Sequence, residues 1–321
     1  MFQVVTALVA LFSVIVPAKE WYSPNARVDV QVQAKQPVSL VLIDFAGKVI
    51  EPAASNTVTE SKTVDLNAMY PQINKPGACV LLAVPEGKAN RDFIGTPIVI
   101  EALTAPKPAA GSTVNVLRMQ PLAYAKMTTK MGEMKMLFWY DIAPVTVNSF
   151  LSLSAGGFYD GLSFHRIVPK FVIQAGDPLG TGAGGPGYNV PAEFNDRPHD
   201  VGVLSMARQG DPLEQQGSQP RPEFANSGGS QFFICLTREA TKQLDRRYTG
   251  FGQVFDGLET VAKIGSLAIA DAKSGRPAEA PLIEKVQVVP VTAADNPYAR
   301  TLKLDAASDT VVPAPATQPA P

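Results

Sequence analysis

Chemistry concentrates in one stretch, Phe164-His165-Arg166-Ile167-Val168-Pro169-Lys170-Phe171-Val172-Ile173-Gln174-Ala175-Gly176-Asp177-Pro178. A histidine and an arginine stand ahead of an apolar run that ends in a glutamine and a Gly-Asp-Pro turn. Read as one extended strand without a bulge, alternate side chains share a face. Arg166, Val172 and Gln174 then fall together, and His165, Phe171 and Ile173 lie opposite. A guanidinium beside an apolar surface is a poor core, because a buried charge needs a partner. It suits a groove that takes an apolar ring next to a carbonyl.

Other chemistries lack their residues. The two cysteines, Cys79 and Cys235, and the two histidines, His165 and His199, are too widely spaced for a zinc template, and both thiols sit in apolar runs as small buried side chains. Gly180 to Gly187 contains a formal G-x-G-x-x-G, but Pro186 and the extended residues 188–191 deny the helix that a dinucleotide site needs. A net charge of −1 without basic blocks leaves no nucleic-acid footprint. No metal, cofactor or nucleic acid is expected.

The elements that position this stretch follow from pattern. Residues 2–18 form an apolar run ending Val16-Pro17-Ala18, which resembles a cleaved export signal although its start carries no Lys or Arg. An uncleaved anchor and a buried helix are the alternatives. Residues 19–103 alternate in short segments (Arg27–Gln33, Val38–Phe45, Thr57–Thr59, Thr63–Leu66, Cys79–Val84, Pro97–Ala102), the pattern of a small β-sandwich-like domain with no catalytic candidate. Residues 104–117, rich in Pro, Ala and Gly, read as a linker, and a second domain is expected over 118–291. There, Ala123–Lys130 and Glu133–Tyr140 read as a hairpin, Pro144 opens a helix with Val147, Phe150 and Leu151 inward, and Gly202–Arg208, Ser230–Leu236 and Phe251–Phe255 read as strands. A second helix follows Asp256, with Leu258, Val261 and Ala262 inward. Residues 209–229 read as a long polar loop, and 292–321 as a Pro/Ala-rich disordered tail.

Taken in order, the first hairpin, Ala143-Pro144-Val145-Thr146-Val147, Phe158-Tyr159-Asp160-Gly161-Leu162-Ser163-Phe164-His165-Arg166, Gln174-Ala175-Gly176-Asp177, Leu204-Ser205-Met206-Ala207, Ser230-Gln231-Phe232-Phe233-Ile234 and Leu244-Asp245 before Phe251-Gly252-Gln253-Val254 resemble the cyclophilin family of peptidyl-prolyl cis-trans isomerases over about residues 120–290. The resemblance implies a mainly β fold, an eight-stranded closed antiparallel barrel capped by two helices. It implies isomerisation of X-Pro bonds without a cofactor, acting on proline-containing polypeptides; a monomer is expected, and the apolar run at residues 2–18 points to export to the periplasm or the medium. It also implies Arg166 as the catalytic group, with His165 and Gln174 beside it, and substrate contacts from Phe171, Val172, Ala207, Arg208, Gln231, Phe233, Leu244 and Tyr248. Five positions depart from the common pattern. Val172 stands where the family usually has methionine, Ala175 where a glycine adjoins Gln174, Arg208 where asparagine is frequent, Tyr248 where many members have histidine, and Gln243 where a tryptophan commonly supports cyclosporin binding. Residues 209–229 are longer than usual and would rim the groove.

No nucleophile is required for this reaction. Amide resonance imposes a rotation barrier of about 18–20 kcal/mol, and a donor aimed at the imide nitrogen binds the twisted state better than either planar one. His165 is open to two readings, a shaping and hydrogen-bonding role or acid–base chemistry of some other reaction. The alternatives to the enzyme are a binding-only barrel and an envelope scaffold whose first domain is the working part.

Overall fold

The computed structural model describes residues 14–106, 113–214 and 218–304. They form two compact units, one of residues up to Ala123 together with those from Pro290 on, the other of Tyr124–Val289.

In the first unit, Ile15–Pro17, Asp29–Val32 and Lys62–Asp65 make a three-stranded sheet, and a seven-stranded sheet holds Trp21–Tyr22, Thr113–Pro121, Ile98–Pro106, Gly77–Pro85, Val38–Asp44, Val49–Ile50 and Thr57–Val58. Among the described residues the strands of both sheets pair antiparallel. Strict alternation buries Val28, Val30 and Val32 in one core with Leu40, Leu42, Leu81 and Ile100. Three sequence expectations need correction here. The linker is a β-hairpin: Ile98–Pro106 and Thr113–Pro121 pair along their whole length, with 107–112 outside the described residues. Residues 118–121 thus belong to the first unit. The tail starts later than residue 292, because Tyr298, Leu302 and Leu304 are buried and Tyr298 donates to the Ala123 carbonyl at 2.8 Å; 305–321 lie outside the described residues. Residues 1–13 of the expected export signal also lie outside them, but Ile15–Pro17 pair with Val30–Val32, Ile15 is buried, and Ala18 N–H donates to the Asp29 carbonyl. Cleavage after Ala18 would strip a strand from the sheet.

The second unit is a curled antiparallel sheet of β1 (Ala123–Thr129), β2 (Gly132–Phe138), β3 (Arg166–Val168), β4 (Val172–Ala175), β5 (Val203–Met206), β6 (Phe232–Cys235), β7 (Gly250–Asp256) and β8 (Ile283–Pro290) in the order β3-β4-β6-β5-β7-β2-β1-β8. Ahead of β3, residues 161–164 exchange backbone hydrogen bonds with 281–283: Gly161 N–H to Ile283, Ile283 N–H to Leu162 and Phe164 N–H to Pro281. The core beneath is aromatic, with Phe150 of α1 (Pro144–Ala155) within 5.0–5.5 Å of the rings of Tyr159, Phe232, Phe138 and Phe251. Ala143 offers α1 no side-chain cap; Glu193 instead accepts from Val145 N–H (3.0 Å) and Thr146 N–H (2.8 Å). In α2 (Leu258–Gly265) the N-cap is Gly257, with φ 91°, and this turn directs Thr260, Val261 and Ile264 inward while Leu258 and Ala262 face water.

Candidate functional site

The stretch 164–178 is two strands rather than one. Lys170 takes φ 62° and turns the chain, so that β3 and β4 pair as Arg166↔Gln174, Ile167↔Ile173 and Val168↔Val172. Paired residues of an antiparallel ladder share a face, and the even-numbered register keeps Arg166, Val172 and Gln174 together. Phe171, at the turn, does not go to the opposite face: it packs with Val172 against Phe233 and Leu244.

β4 and β6 pair as Gln174↔Phe233 and Ile173↔Ile234, and β5 and β6 as Ser205↔Phe233. Period-two alternation sends Phe232 and Ile234 into the aromatic core and Phe233 to the other face. One row across adjacent strands thus reads Arg166, Gln174, Phe233. Arg166 Nη1 donates to Gln174 Oε1 at 3.2 Å, and Gln174 Nε2 donates to Gln231 Oε1 at 3.0 Å. Gln231 passes its own donor to the carbonyls of Gly182 and Gly184.

These residues open onto a groove of about 780 Å³ lined by His165, Arg166, Phe171, Val172, Gln174, Ala207, Arg208, Phe233, Leu244 and Tyr248. Gln231 is one hydrogen bond removed from it and holds Gln174 from behind. One end is apolar, with Val172, Phe233 and Leu244 packed under Phe171, Ala207 and Tyr248. Arg208 lines the groove, but its guanidinium is committed to the protein: Nη2 meets both Glu214 oxygens at 2.8 Å, Nε the Arg247 carbonyl and Nη1 the Gln209 carbonyl. It is a wall residue and not a free donor. His165 is buried, neither ring nitrogen finds a hydrogen-bond partner among the described residues, and burial pushes its pKa down. The ring is therefore neutral at pH 7.

The other end of the groove is built by segments that carry no sequence signal for this site. Residues 179–182 and the hairpin Ile269–Asp271/Arg276–Pro277 supply Leu179, Gly180, Thr181, Gly182, Asp271, Ser274 and Arg276. The hairpin is fixed by Ile167 N–H donating to Gly275 O at 2.8 Å. In the glycine-rich loop, the amides of Leu179, Thr181 and Gly182 point at the Asp177 carboxylate. Burial raises that carboxyl's pKa, and the three N–H donors outweigh it, so Asp177 stays well ionised. The loop's donors serve an internal anion, and a Cβ at Gly184 would lie 2.0 Å from Asp177 Oδ1. The segment 209–229 also holds more structure than a loop, with a helical turn at Pro222–Ala225 and an Asp211–Arg221 ion pair.

Both cysteines are free and buried, and burial pushes each thiol up to about 12. Among the described residues no group of three or more His, Cys, Asp or Glu is placed to hold a metal ion.

Residues 124–288 match the family model for cyclophilin type peptidyl-prolyl cis-trans isomerase/CLD. A peptidyl-prolyl cis-trans isomerase of Synechococcus elongatus is 44% identical over 150 residues, which cover 47% of this chain and 92% of that protein. Peptidyl-prolyl cis-trans isomerase B of Bacillus subtilis is 45% identical over 121 residues, 37% of this chain and 73% of its own. A crystal structure of a cyclophilin type isomerase from Cryptosporidium parvum aligns with 53% of this chain and 99% of its own, at 30% identity and a TM-score of 0.46.

Proposed function

We propose that this chain, which belongs to the cyclophilin-type peptidyl-prolyl cis-trans isomerase family, rotates X-Pro bonds in the groove described above, with Arg166 favouring the twisted bond. The register row carries this reading: a guanidinium, the amide that orients it and an apolar ring stand on adjacent strands of one face.

The pyrrolidine ring occupies the apolar end, against Phe171, Val172, Phe233 and Leu244. Arg166 is permanently charged and offers several rigid donors. It contacts the substrate carbonyl and reaches the imide nitrogen as rotation restores that atom's lone pair. The planar states offer no such lone pair, so the interaction is spent on the transition state alone. Lowering the barrier by about 7 kcal/mol gives roughly 10⁵-fold acceleration. Gln174 limits the swing of Arg166, and the chain beside Ala207 can align as an added strand. The reaction transfers no proton, which leaves His165 the role of a neutral shaping residue.

Two further readings belong here. The backbone bonds between 161–164 and 281–283 join the end strands, and we take the sheet as a closed barrel on that basis. We also take the protein to act outside the cytoplasm, on the strength of the apolar run that begins at Phe2. Any leader that is removed ends ahead of Val14, since the strand after it is part of the first unit.

Exchange NMR on a library of X-Pro peptides tests the activity. Cis–trans cross-peaks should appear within the mixing time on adding the full chain. Peptide binding without exchange would favour the binding-only barrel.

A further inference from the structure

We infer that Glu214 is a positioning residue for the apolar end of the groove, acting through Arg208 and Tyr248; this rests on the isomerase reading above. Glu214 lies outside the groove lining, on the segment between β5 and β6. The chain of contacts from it inward is short. Arg208 stacks its guanidinium 4.3 Å above the centre of the Tyr248 ring. Tyr248 stands edge-on to Phe233, with ring centres 5.7 Å apart. Phe233 is the apolar member of the row that carries Arg166.

What keeps Arg208 on Tyr248 is the Glu214 carboxylate. It accepts from Arg208 Nη2 through both oxygens at 2.8 Å and from Arg247 Nε at 2.9 Å. The Arg208 and Glu214 side chains are only 2% and 8% exposed, so water and salt do little to screen the pair. Without the carboxylate, two guanidiniums would face each other in a shielded site. Arg208 would then leave for water and Tyr248 would lose its backing. A neutral amide at 214 cannot balance two cations.

Glu214 is itself placed by its neighbours. Its N–H donates to the Asp211 carbonyl at 3.0 Å, Leu213 N–H donates to Asp211 Oδ1 at 2.9 Å, and Arg221 grips the Asp211 carboxylate with Nη2 at 2.8 Å and Nε at 3.0 Å. The near part of the insertion is thus a brace that ends on the proline site. Its effect falls on how firmly the ring is held and not on the twisting step.

The test uses the full chain and compares wild type with Glu214→Gln and Glu214→Asp. In the wild type the Tyr248 ring current should move the Arg208 side-chain protons upfield in the NMR spectrum. Glu214→Gln should abolish that shift and raise KM for an Ala-Pro peptide about five- to tenfold, the worth of one partly buried ring contact, with kcat within about twofold. Glu214→Asp, which keeps the charge, should restore most of both. Loss of the shift with KM unchanged overturns the proposal, as does a fall in kcat with KM unchanged. If the wild type shows no turnover, the isomerase reading fails on its own. Peptide dissociation constants then decide the positioning role: weaker binding by Glu214→Gln sustains it and equal binding overturns it. If Glu214→Gln does not fold, Glu214→Asp carries the decision, since a wild-type KM without the upfield shift refutes the brace.

Discussion

Replacing Gln174 by leucine isolates the orientation of Arg166. The two side chains are similar in size, but leucine removes both the 3.2 Å bond from Arg166 and the 3.0 Å bond to Gln231. A hydrogen bond involving a charged group contributes about 1.5–3 kcal/mol when well formed. At 3.2 Å, on a half-buried guanidinium, the lower end of that range applies. A loss of about 1.5 kcal/mol corresponds to roughly tenfold. Because Arg166 meets the imide nitrogen only in the twisted state, the loss should appear in kcat, with KM within about twofold. Gln231 keeps its bonds to Gly182 and Gly184, so the groove wall should hold and the melting temperature should fall by no more than about 2–4 °C. Exchange NMR on an Ala-Pro peptide at saturating concentration gives kcat, and a thermal melt gives the control. A folded Gln174→Leu protein with kcat within twofold of wild type would refute the claim that Gln174 orients the catalytic group.

Glu193→Gln should weaken the cap on α1 by about 1 kcal/mol, read as a lower melting temperature with peptide turnover retained. Asp245 is raised by burial but held down to about 2 by the Arg238 guanidinium and by His199. Its folded pKa lies below the unfolded value near 3.8, so its stabilisation is complete above that pH and is lost as pH falls from there toward 2; urea midpoints across that window should drop more steeply for wild type than for Asp245→Asn. Deleting residues 1–18 removes Ile15 from its core position, at a cost of about 1.5–3 kcal/mol, read as a lower melting temperature of the first unit.

The site was legible where local pattern decides geometry. Even spacing kept Arg166, Val172 and Gln174 on one face although the expected single strand is a hairpin, while Phe233 entered the site through the family resemblance. The turn went unseen because Lys170 adopts a left-handed conformation with no glycine to mark it. Segments joined only by long-range contacts were not legible either. Nothing near residue 275 announces that its carbonyl will bind Ile167, and nothing near residue 214 announces a carboxylate shared by Arg208 and Arg247. In the first unit, strand boundaries followed the valine alternation closely. Its composition from both ends of the chain did not, because Tyr298 and Leu302 lie in a Pro- and Ala-rich context that reads as tail.

The most direct measurement is turnover by Arg166→Ala against wild type, by exchange NMR on one X-Pro peptide with binding followed in the same samples. The account predicts that turnover collapses by about two orders of magnitude or more, the worth of a fixed charged donor made only in the transition state, while the peptide still binds the apolar end of the groove. Turnover within about tenfold of wild type would contradict it.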